Sequence, residues 1–147
     1  MARDHALGFT LIELLLTVVI LGVLAAFAVP GYRRVIERGY WRQAQDLLLT
    51  IYYGERAYFL INDQYYGPLG AGSSMAQWRT IHTDNPNLGS PPSVTFSVTA
   101  GGSGSAATFS ATATRSDGLC SGATLKINET RTLTPDPTTT TCWCAAC

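Results

Sequence analysis

A single carboxylate, Glu13, lies inside an otherwise uncharged apolar run that extends from Phe9 to Val29. A helix of this length measures about 32 Å, which is enough to cross a bilayer. An ionisable side chain there costs about 3 kcal/mol unless it finds a partner, and such residues usually mark functional sites. The first chemical question that the sequence raises is therefore which cation meets Glu13.

The second group with chemistry of its own consists of four cysteines: Cys120, Cys142, Cys144 and Cys147. The spacing Cys-x-Cys-x-x-Cys with a distant Cys120 is poor for a zinc finger. An even number of cysteines beyond a membrane-length segment instead indicates two disulfides in an oxidising compartment. Cys120 would then pair with one of the three tail cysteines, and all three connectivities remain open.

Enzymatic chemistry has little support in the sequence. His82 is the only histidine beyond the first eight residues, and no nucleophile is adjacent to it. Asp63 and Asp84 are candidates for a calcium site, although a role in turns explains Asp84 more simply. Glycine-rich phosphate loops and metal-spaced ligand sets are absent. We therefore expect a protein that is not an enzyme, with no catalytic residues, no metal and no cofactor.

The charge balance argues against a nucleic-acid-binding protein. The chain of 147 residues has a formal net charge of zero, and only 14% of its residues are charged. The one basic cluster consists of Arg33, Arg34, Arg38 and Arg42. This cluster is either a solvated or inter-subunit helix face, or a contact for lipid headgroups or DNA. We predict no specific nucleic-acid partner.

One long helix, predicted over residues 9–61, must position these groups. Its first half, residues 9–29, is apolar all round, as a lipid-exposed span requires. Its second half, residues 30–61, is amphipathic, and charged residues such as Glu37 and Glu55 are expected on its solvent face. The apolar positions at helical spacing that predict a stripe packed on a domain are Ile36, Tyr40, Ala44, Leu47, Ile51, Tyr58 and Phe59.

The remainder of the chain predicts a loop followed by a sheet. Turn signals fill residues 62–92, with a short helical piece predicted within residues 74–81. Alternating apolar and polar residues in the region 93–147 predict strands at 94–99, 107–114, 123–127 and 130–133. The fold class is therefore α+β, with a long N-terminal helix packed on one face of an antiparallel β-sheet and a disulfide-bonded C-terminal region.

An ordinary secretory signal competes with a retained helix as the explanation of the apolar run. Ala26-Phe27-Ala28 offers a small-x-small cleavage site that would leave Val29 at the N-terminus. The run is longer than such signals need, however, and Glu13 would have no purpose in one. The helical pattern also continues past Ala28, which favours a single retained helix.

The run Gly8-Phe9-Thr10-Leu11-Ile12-Glu13-Leu14, followed by the apolar segment and Pro30, resembles the N-terminus of type IV prepilins and pseudopilins. The resemblance implies that residues 1–8 are a leader peptide and that Gly8 is its last residue. Phe9 would become the mature N-terminus and be N-methylated. Glu13 would pair with the α-amino group of Phe9 from a neighbouring subunit and fix the axial register of the filament. Pro30 matches the helix-kink position of the family.

One feature departs from this family. Its leaders are usually basic, but here the leader offers only Arg3 against Asp4, together with His5. The basic cluster instead follows the apolar run, so a count of positive charges would place the C-terminal domain in the cytoplasm. The cysteines and the family resemblance place that domain outside the cytoplasm.

The resemblance implies a structural subunit of a type IV pilus-like extracellular filament. The alternatives are a pseudopilin of type II secretion or a minor pilin. A membrane-anchored binding domain with an ordinary signal sequence ranks behind both. The implied partners are further copies of the chain, a prepilin peptidase, the bilayer before assembly, and an inner-membrane assembly platform with its ATPase. We expect the precursor in the inner membrane and the assembled filament outside it or spanning the periplasm. Any adhesion would then reside in residues 62–147.

Overall fold

The computed structural model describes residues 9–88, 93–118 and 120–136. Its elements are α1 (Leu11–Asn62), α2 (Met75–Arg79), β1 (Val94–Gly101), β2 (Thr108–Arg115), β3 (Thr124–Asn128) and β4 (Leu133–Pro135), with a 3-10 turn at Gly104–Ala106. The chain divides into two compact units, residues 1–35 and residues 36–147. The predicted α+β, pilin-like fold, with a long N-terminal helix packed on an antiparallel sheet, is confirmed.

The first unit holds the apolar part of α1. Every side chain described in it is exposed. The helix contains a window with a mean hydropathy of 2.7, and by length and composition alone it is able to cross a membrane. Signal sequences near an N-terminus share this length and apolar composition. The helical backbone continues through position 30, and the kink at Pro30 stays a prediction.

The second unit buries one stripe of α1, and that stripe differs from the predicted one. The stripe that the described residues form is Glu37, Trp41, Ala44, Leu48, Ile51 and Glu55. Ala44 and Ile51 are buried as predicted, whereas Ile36 is 39% exposed. The prediction that Glu37 and Glu55 face solvent is wrong, because hydrogen-bond partners outside α1 make their burial possible.

The sheet has the strand order β1-β2-β3-β4, and every neighbouring pair is antiparallel. Inward residues of the first two strands face one another in register, with Phe96 opposite Ala113 and Val98 opposite Ala111. The predicted hairpin is therefore confirmed. β4 begins only at Leu133 because the side-chain oxygen of Asn128 accepts hydrogen bonds from the Thr130 hydroxyl and the Thr132 N–H, which extends the turn.

The predicted short helix is α2, and a reciprocal capping box at Ser74 and Gln77 begins it. Trp78 and Ile81 are fully buried and fasten this segment to the core. A side chain at position 54 would not allow this packing, because a Cβ on Gly54 would lie 2.0 Å from the Ile81 carbonyl oxygen. Glycine in the middle of α1 thus permits the loop to lie directly against the helix.

The loop also contacts the outer side of β1. Leu69 and Val98 exchange two backbone hydrogen bonds, of 2.9 Å and 2.8 Å. The side chain of Asn87 binds the backbone of Phe96 twice, accepting from its N–H at 2.6 Å and donating to its carbonyl at 3.0 Å. Asn87 is buried, so both bonds are shielded from water.

Candidate assembly site

Glu13 lies in the first turn of α1, where the helix is capped by Thr10. The Thr10 hydroxyl accepts a hydrogen bond from the Glu13 backbone N–H at 3.3 Å. This is one half of a capping box of the Thr-x-x-Glu type, a local signal that the sequence interpretation missed. The described residues do not form the reciprocal bond from the Thr10 N–H to the Glu13 carboxylate. The carboxylate therefore gains some stabilisation from the helix dipole but no hydrogen bond from the cap.

No cationic partner for Glu13 occurs among the described residues of its own unit. The ion pairs of the described chain join Arg79 to Asp84 and Arg115 to both Glu37 and Asp117. The next described cation along α1 is Arg33, which at about 1.5 Å per residue lies about 30 Å further along the helix axis. The unpaired carboxylate lies on an apolar surface, with Phe9, Ile12 and the residues after it exposed.

The other predicted site residues are distributed as follows. Phe9 is 76% exposed at the start of the described chain, whereas Gly8 lies outside the described residues. Cys120 is buried and takes part in a disulfide. The three other cysteines, Cys142, Cys144 and Cys147, lie outside the described residues. The three possible connectivities therefore all stay open.

The second unit contains an ion-pair site that the sequence interpretation missed. Arg115, only 3% exposed at the end of β2, binds both carboxylate oxygens of Glu37, with Nε to Oε2 at 3.0 Å and Nη2 to Oε1 at 3.1 Å. Its Nη1 donates to the Ser93 carbonyl and to Asp117, and its guanidinium lies over the ring of Tyr40 at 4.1 Å. These contacts join α1 to the sheet.

Opposing effects set the pKa of Arg115. Burial lowers it, but the hydrogen bonds and charges of Glu37 and Asp117 more than compensate, so the net shift is upward. The neighbouring Gly118 has a φ of +77°, and a Cβ there would lie 2.6 Å from Glu37 Oε1. Glycine is therefore required beside this pair, both for its backbone conformation and for the space.

The periodicity of β2 was the signal that would have revealed this site. Phe109, Ala111 and Ala113 point inward, so the next inward position is Arg115. A buried arginine requires an anion, and Glu37 begins the buried stripe of the helix. The predicted strand ends at residue 114, one position short of this arginine.

Glu55 is fully buried, and the described residues satisfy only half of its carboxylate. Its Oε2 accepts the Tyr66 N–H at 2.8 Å, whereas Oε1 has no hydrogen-bond partner within the described part of the chain. Burial raises the pKa of Glu55 to about 7, and the hydrogen bond from Tyr66 opposes this shift only in part. The protonated carboxyl group avoids an unpaired buried charge near neutral pH.

The calcium-site candidates Asp63 and Asp84, together with His82, belong to turns and to a surface ion pair. His82, with a φ of +55°, and Asp63, with a φ of +56°, occupy turn conformations. Asp84 is paired with Arg79 at the surface. In the described ranges, no group of three His, Cys, Asp or Glu side chains is arranged to hold a metal ion.

Comparisons with known proteins match the segment around Glu13. Residues 3–29 match the family model of the prokaryotic N-terminal methylation motif. The relatives that match this part of the chain are named as type IV pilin and fimbrial proteins. The resemblance inferred from Gly8, Phe9 and Glu13 is thereby confirmed for the prepilin-type segment.

Pilin relatives extend the match only modestly. The chain is 38% identical over 58 residues to the type IV major pilin protein PilA of Myxococcus xanthus (strain DK1622), covering 40% of this chain and 26% of that protein. It is 61% identical over 31 residues to the type IV major fimbrial protein FimA of Dichelobacter nodosus, covering 21% of this chain and 19% of that protein. The chain thus matches about a quarter or less of each relative's length. No solved structure matches it.

Proposed function

We propose that the chain is a structural subunit of a type IV pilus-like extracellular filament. It is processed after Gly8, N-methylated at Phe9 and polymerised through the first half of α1. The observation that carries this proposal is the lone carboxylate Glu13 on an exposed apolar helix, with no ionic partner among the described residues of its own unit. The relatives that share this segment are named as a major pilin and major fimbrial proteins.

The physical argument concerns what replaces lipid around α1. Before assembly the apolar half is stored in the bilayer, where the hydrocarbon covers its side chains. In a filament, the same side chains are covered by the helices of neighbouring subunits. A cleaved Phe9 would present an ammonium group, and this cation would give Glu13 the partner that the single chain lacks. The pair contributes axial register more than stability.

The processing step is tested by mass spectrometry of the mature chain isolated from its native host. We expect a terminus at methylated Phe9, because prepilin-type cleavage removes residues 1–8. A terminus at Val29 would instead indicate an ordinary secretory signal and would overturn the proposal. An uncut chain that starts at Met1 would contradict it equally.

The assembly step is tested by replacing Glu13→Ala and, separately, Glu13→Gln. We expect filament yield to fall by about 100-fold or more in both variants, because the cation at the new terminus would lose its counter-charge. Thr17→Val is the matched control, since the Thr17 hydroxyl already donates to the Leu14 carbonyl of its own helix at 2.8 Å. Normal filaments from Glu13→Ala would refute the role of the carboxylate.

A pseudopilin or a minor pilin is the second candidate, because its N-terminal segment would follow the same pattern. The relatives named as major pilins and fimbrial proteins favour a major subunit. Purified filaments settle the choice. Long filaments made mainly of this chain would support a role as the major subunit. Short filaments, or mixed filaments that contain only traces of the chain, would support a role as a pseudopilin or a minor pilin.

The proposal implies a set of partners and two locations. The partners are further copies of the chain, a prepilin peptidase, an assembly platform in the inner membrane and its ATPase. The precursor resides in the inner membrane through residues 9–29, and the assembled subunit lies outside the cytoplasm. The oxidising compartment suits the disulfide at Cys120.

A further inference from the structure

Three exposed residues follow directly after the apolar segment of the first unit. Tyr32 is 68% exposed, and Arg33 and Arg34 are exposed as well. Neither arginine forms an ion pair within the described chain. Two adjacent unpaired cations beside an exposed tyrosine therefore mark the end of the uncharged run that closes at Val29.

Their distance from Val29 matches the headgroup layer of a membrane. At about 1.5 Å per residue, Arg33 lies about 6 Å and Arg34 about 7.5 Å of helix beyond Val29. The polar layer on each side of a bilayer is about 5–7.5 Å thick, from a hydrocarbon core of about 30 Å and a total thickness of about 40–45 Å. Tyr32, one turn after Val29, lies where tyrosine and tryptophan rings concentrate in membrane proteins.

We infer that Arg33 and Arg34 bind the phosphate groups of anionic phospholipids where α1 leaves the bilayer. The guanidinium group is a planar fork of donors that fits phosphate oxygens in a bidentate way. Long arginine side chains also reach the headgroups from several ångströms away. Tyr32 adds an amphipathic anchor at the same depth.

This role also accounts for the unusual position of the positive charge. The leader contains Arg3 and Asp4 and so has little positive charge, whereas the arginines follow the span. As lipid ligands, Arg33 and Arg34 hold the depth of the span whichever leaflet they face. Their binding makes extraction of the subunit from lipid sensitive to the anionic lipid content of the membrane.

The inference rests on the proposed function, since it requires that the chain be stored in a membrane. The experiment uses the full chain in nanodiscs of equimolar phosphatidylcholine and phosphatidylglycerol, released into the gas phase for native mass spectrometry. The ratio of the two lipids that remain bound is measured for the wild type, for Arg33→Gln/Arg34→Gln and for a control. The control, Arg42→Gln/Arg79→Gln, removes the same charge from the second unit.

We expect the wild type and the control to retain phosphatidylglycerol preferentially. Each basic residue near an anionic surface contributes about a five-fold preference for the anionic lipid. The ratio of bound phosphatidylglycerol to phosphatidylcholine should therefore be up to about 25-fold lower in the Arg33/Arg34 variant than in the wild type. Reconstitution in about 1 M salt should reduce the wild-type preference, because the Debye length is then only about 3 Å. Equal preference in the wild type and the Arg33/Arg34 variant would overturn the inference, as would an equal loss in the control.

Two further measurements distinguish a failure of the proposed membrane storage from a failure of the lipid-binding inference alone. Protease protection in pure phosphatidylcholine vesicles tests insertion alone, and a wild type that fails to insert there would refute the proposed membrane storage together with this inference. Normal insertion without lipid preference would refute the inference alone. Binding of short duplex DNA that depends on Arg33 and Arg34, without any lipid preference, would assign these arginines to nucleic acid and would likewise refute it.

Discussion

In residues 11–35 of α1 the carboxylate of Glu13 lies on an exposed apolar surface, whereas in residues 36–62 Glu37 and Glu55 lie in the buried stripe. Each of the buried carboxylates is hydrogen-bonded by a group outside α1, Arg115 for Glu37 and the Tyr66 N–H for Glu55. Glu13 receives no such bond from the described residues. The helix α1 thus carries two carboxylates with hydrogen-bond partners, fully for Glu37 and in part for Glu55, and a third, Glu13, that accepts no hydrogen bond from the described residues.

The difference shows how a single element serves two purposes. Removing one partner of a buried ion pair strongly destabilises the unit that contains it, because the other charge is then buried alone. An apolar surface with an unpartnered charge instead requires contacts from outside the chain, either from lipid or from another subunit. We therefore expect substitutions in the second unit to change folding and substitutions at Glu13 to leave it unchanged.

The largest effect on stability is expected from Arg115→Leu. This change leaves Glu37 buried without its counter-charge, so the free energy of unfolding should fall by about 3–5 kcal/mol. The measurement is urea denaturation of the full chain in detergent, followed by the fluorescence of buried Trp41 and Trp78. Arg79→Leu, which breaks only an exposed pair with Asp84, should change stability by less than about 1 kcal/mol. Similar losses in the two variants would show that Arg115 acts as an ordinary surface cation.

Two glycines of the second unit should respond to alanine with opposite signs. Gly54→Ala places a Cβ against the Ile81 carbonyl and should destabilise the fold by about 2 kcal/mol. A Cβ added at Gly39 would meet nothing within 4 Å among the described residues, so Gly39→Ala should stabilise the helix by about 0.5–1 kcal/mol. Thermal melts of both variants provide the measurement, and a gain in stability for Gly54→Ala would contradict the close packing of Ile81 on α1.

Glu55 should make stability depend on pH. Because its folded-state pKa is about 7 against a usual value of 4.5, the folded chain binds more protons between these values. As far as Glu55 is concerned, stability should therefore be highest below pH 4.5. It should decline by up to about 3 kcal/mol as the pH rises from 4.5 through 7. Glu55→Gln, which keeps an acceptor for the Tyr66 N–H, should flatten this slope in denaturation curves measured at several pH values. A slope that survives in the variant would belong to another group.

The smallest effect is expected from Glu13→Ala on the folding of the second unit. The free energy of unfolding should change by less than about 0.5 kcal/mol, because the hydrogen bond of Glu13, from its backbone N–H to Thr10, lies within its own unit and does not use the carboxylate. The same denaturation experiment supplies the measurement, read beside the filament yield. A large loss of stability would mean that Glu13 acts in folding, and the contrast between the two halves of α1 would fail.

Local patterns were sufficient to predict much of the fold. The apolar run, the hairpin in β1 and β2, and the short helix within residues 74–81 all depend on spacing, alternation or turn signals between near neighbours. The family motif around Glu13 is equally local, since it occupies a few consecutive residues. These features do not require knowledge of which distant segments meet.

The buried carboxylates could not be predicted in this way. Glu37 and Arg115 are 78 positions apart, and their pairing exists only after the sheet has packed on the helix. Glu55 depends on a backbone N–H, at Tyr66, which carries no sequence signature. Charge alone placed both glutamates on the solvent face, because an unpartnered carboxylate belongs there.

The loop that lies along β1 has a consequence for the way subunits join. The outer edge of a terminal strand is a template on which another chain can add a strand, and this is a common route to aggregation. Leu69 and Asn87 already occupy the outward backbone groups of Val98 and Phe96. A protein that we propose to polymerise through its helix is thereby hindered from polymerising through the β1 edge of its sheet, even where precursors crowd together in a membrane.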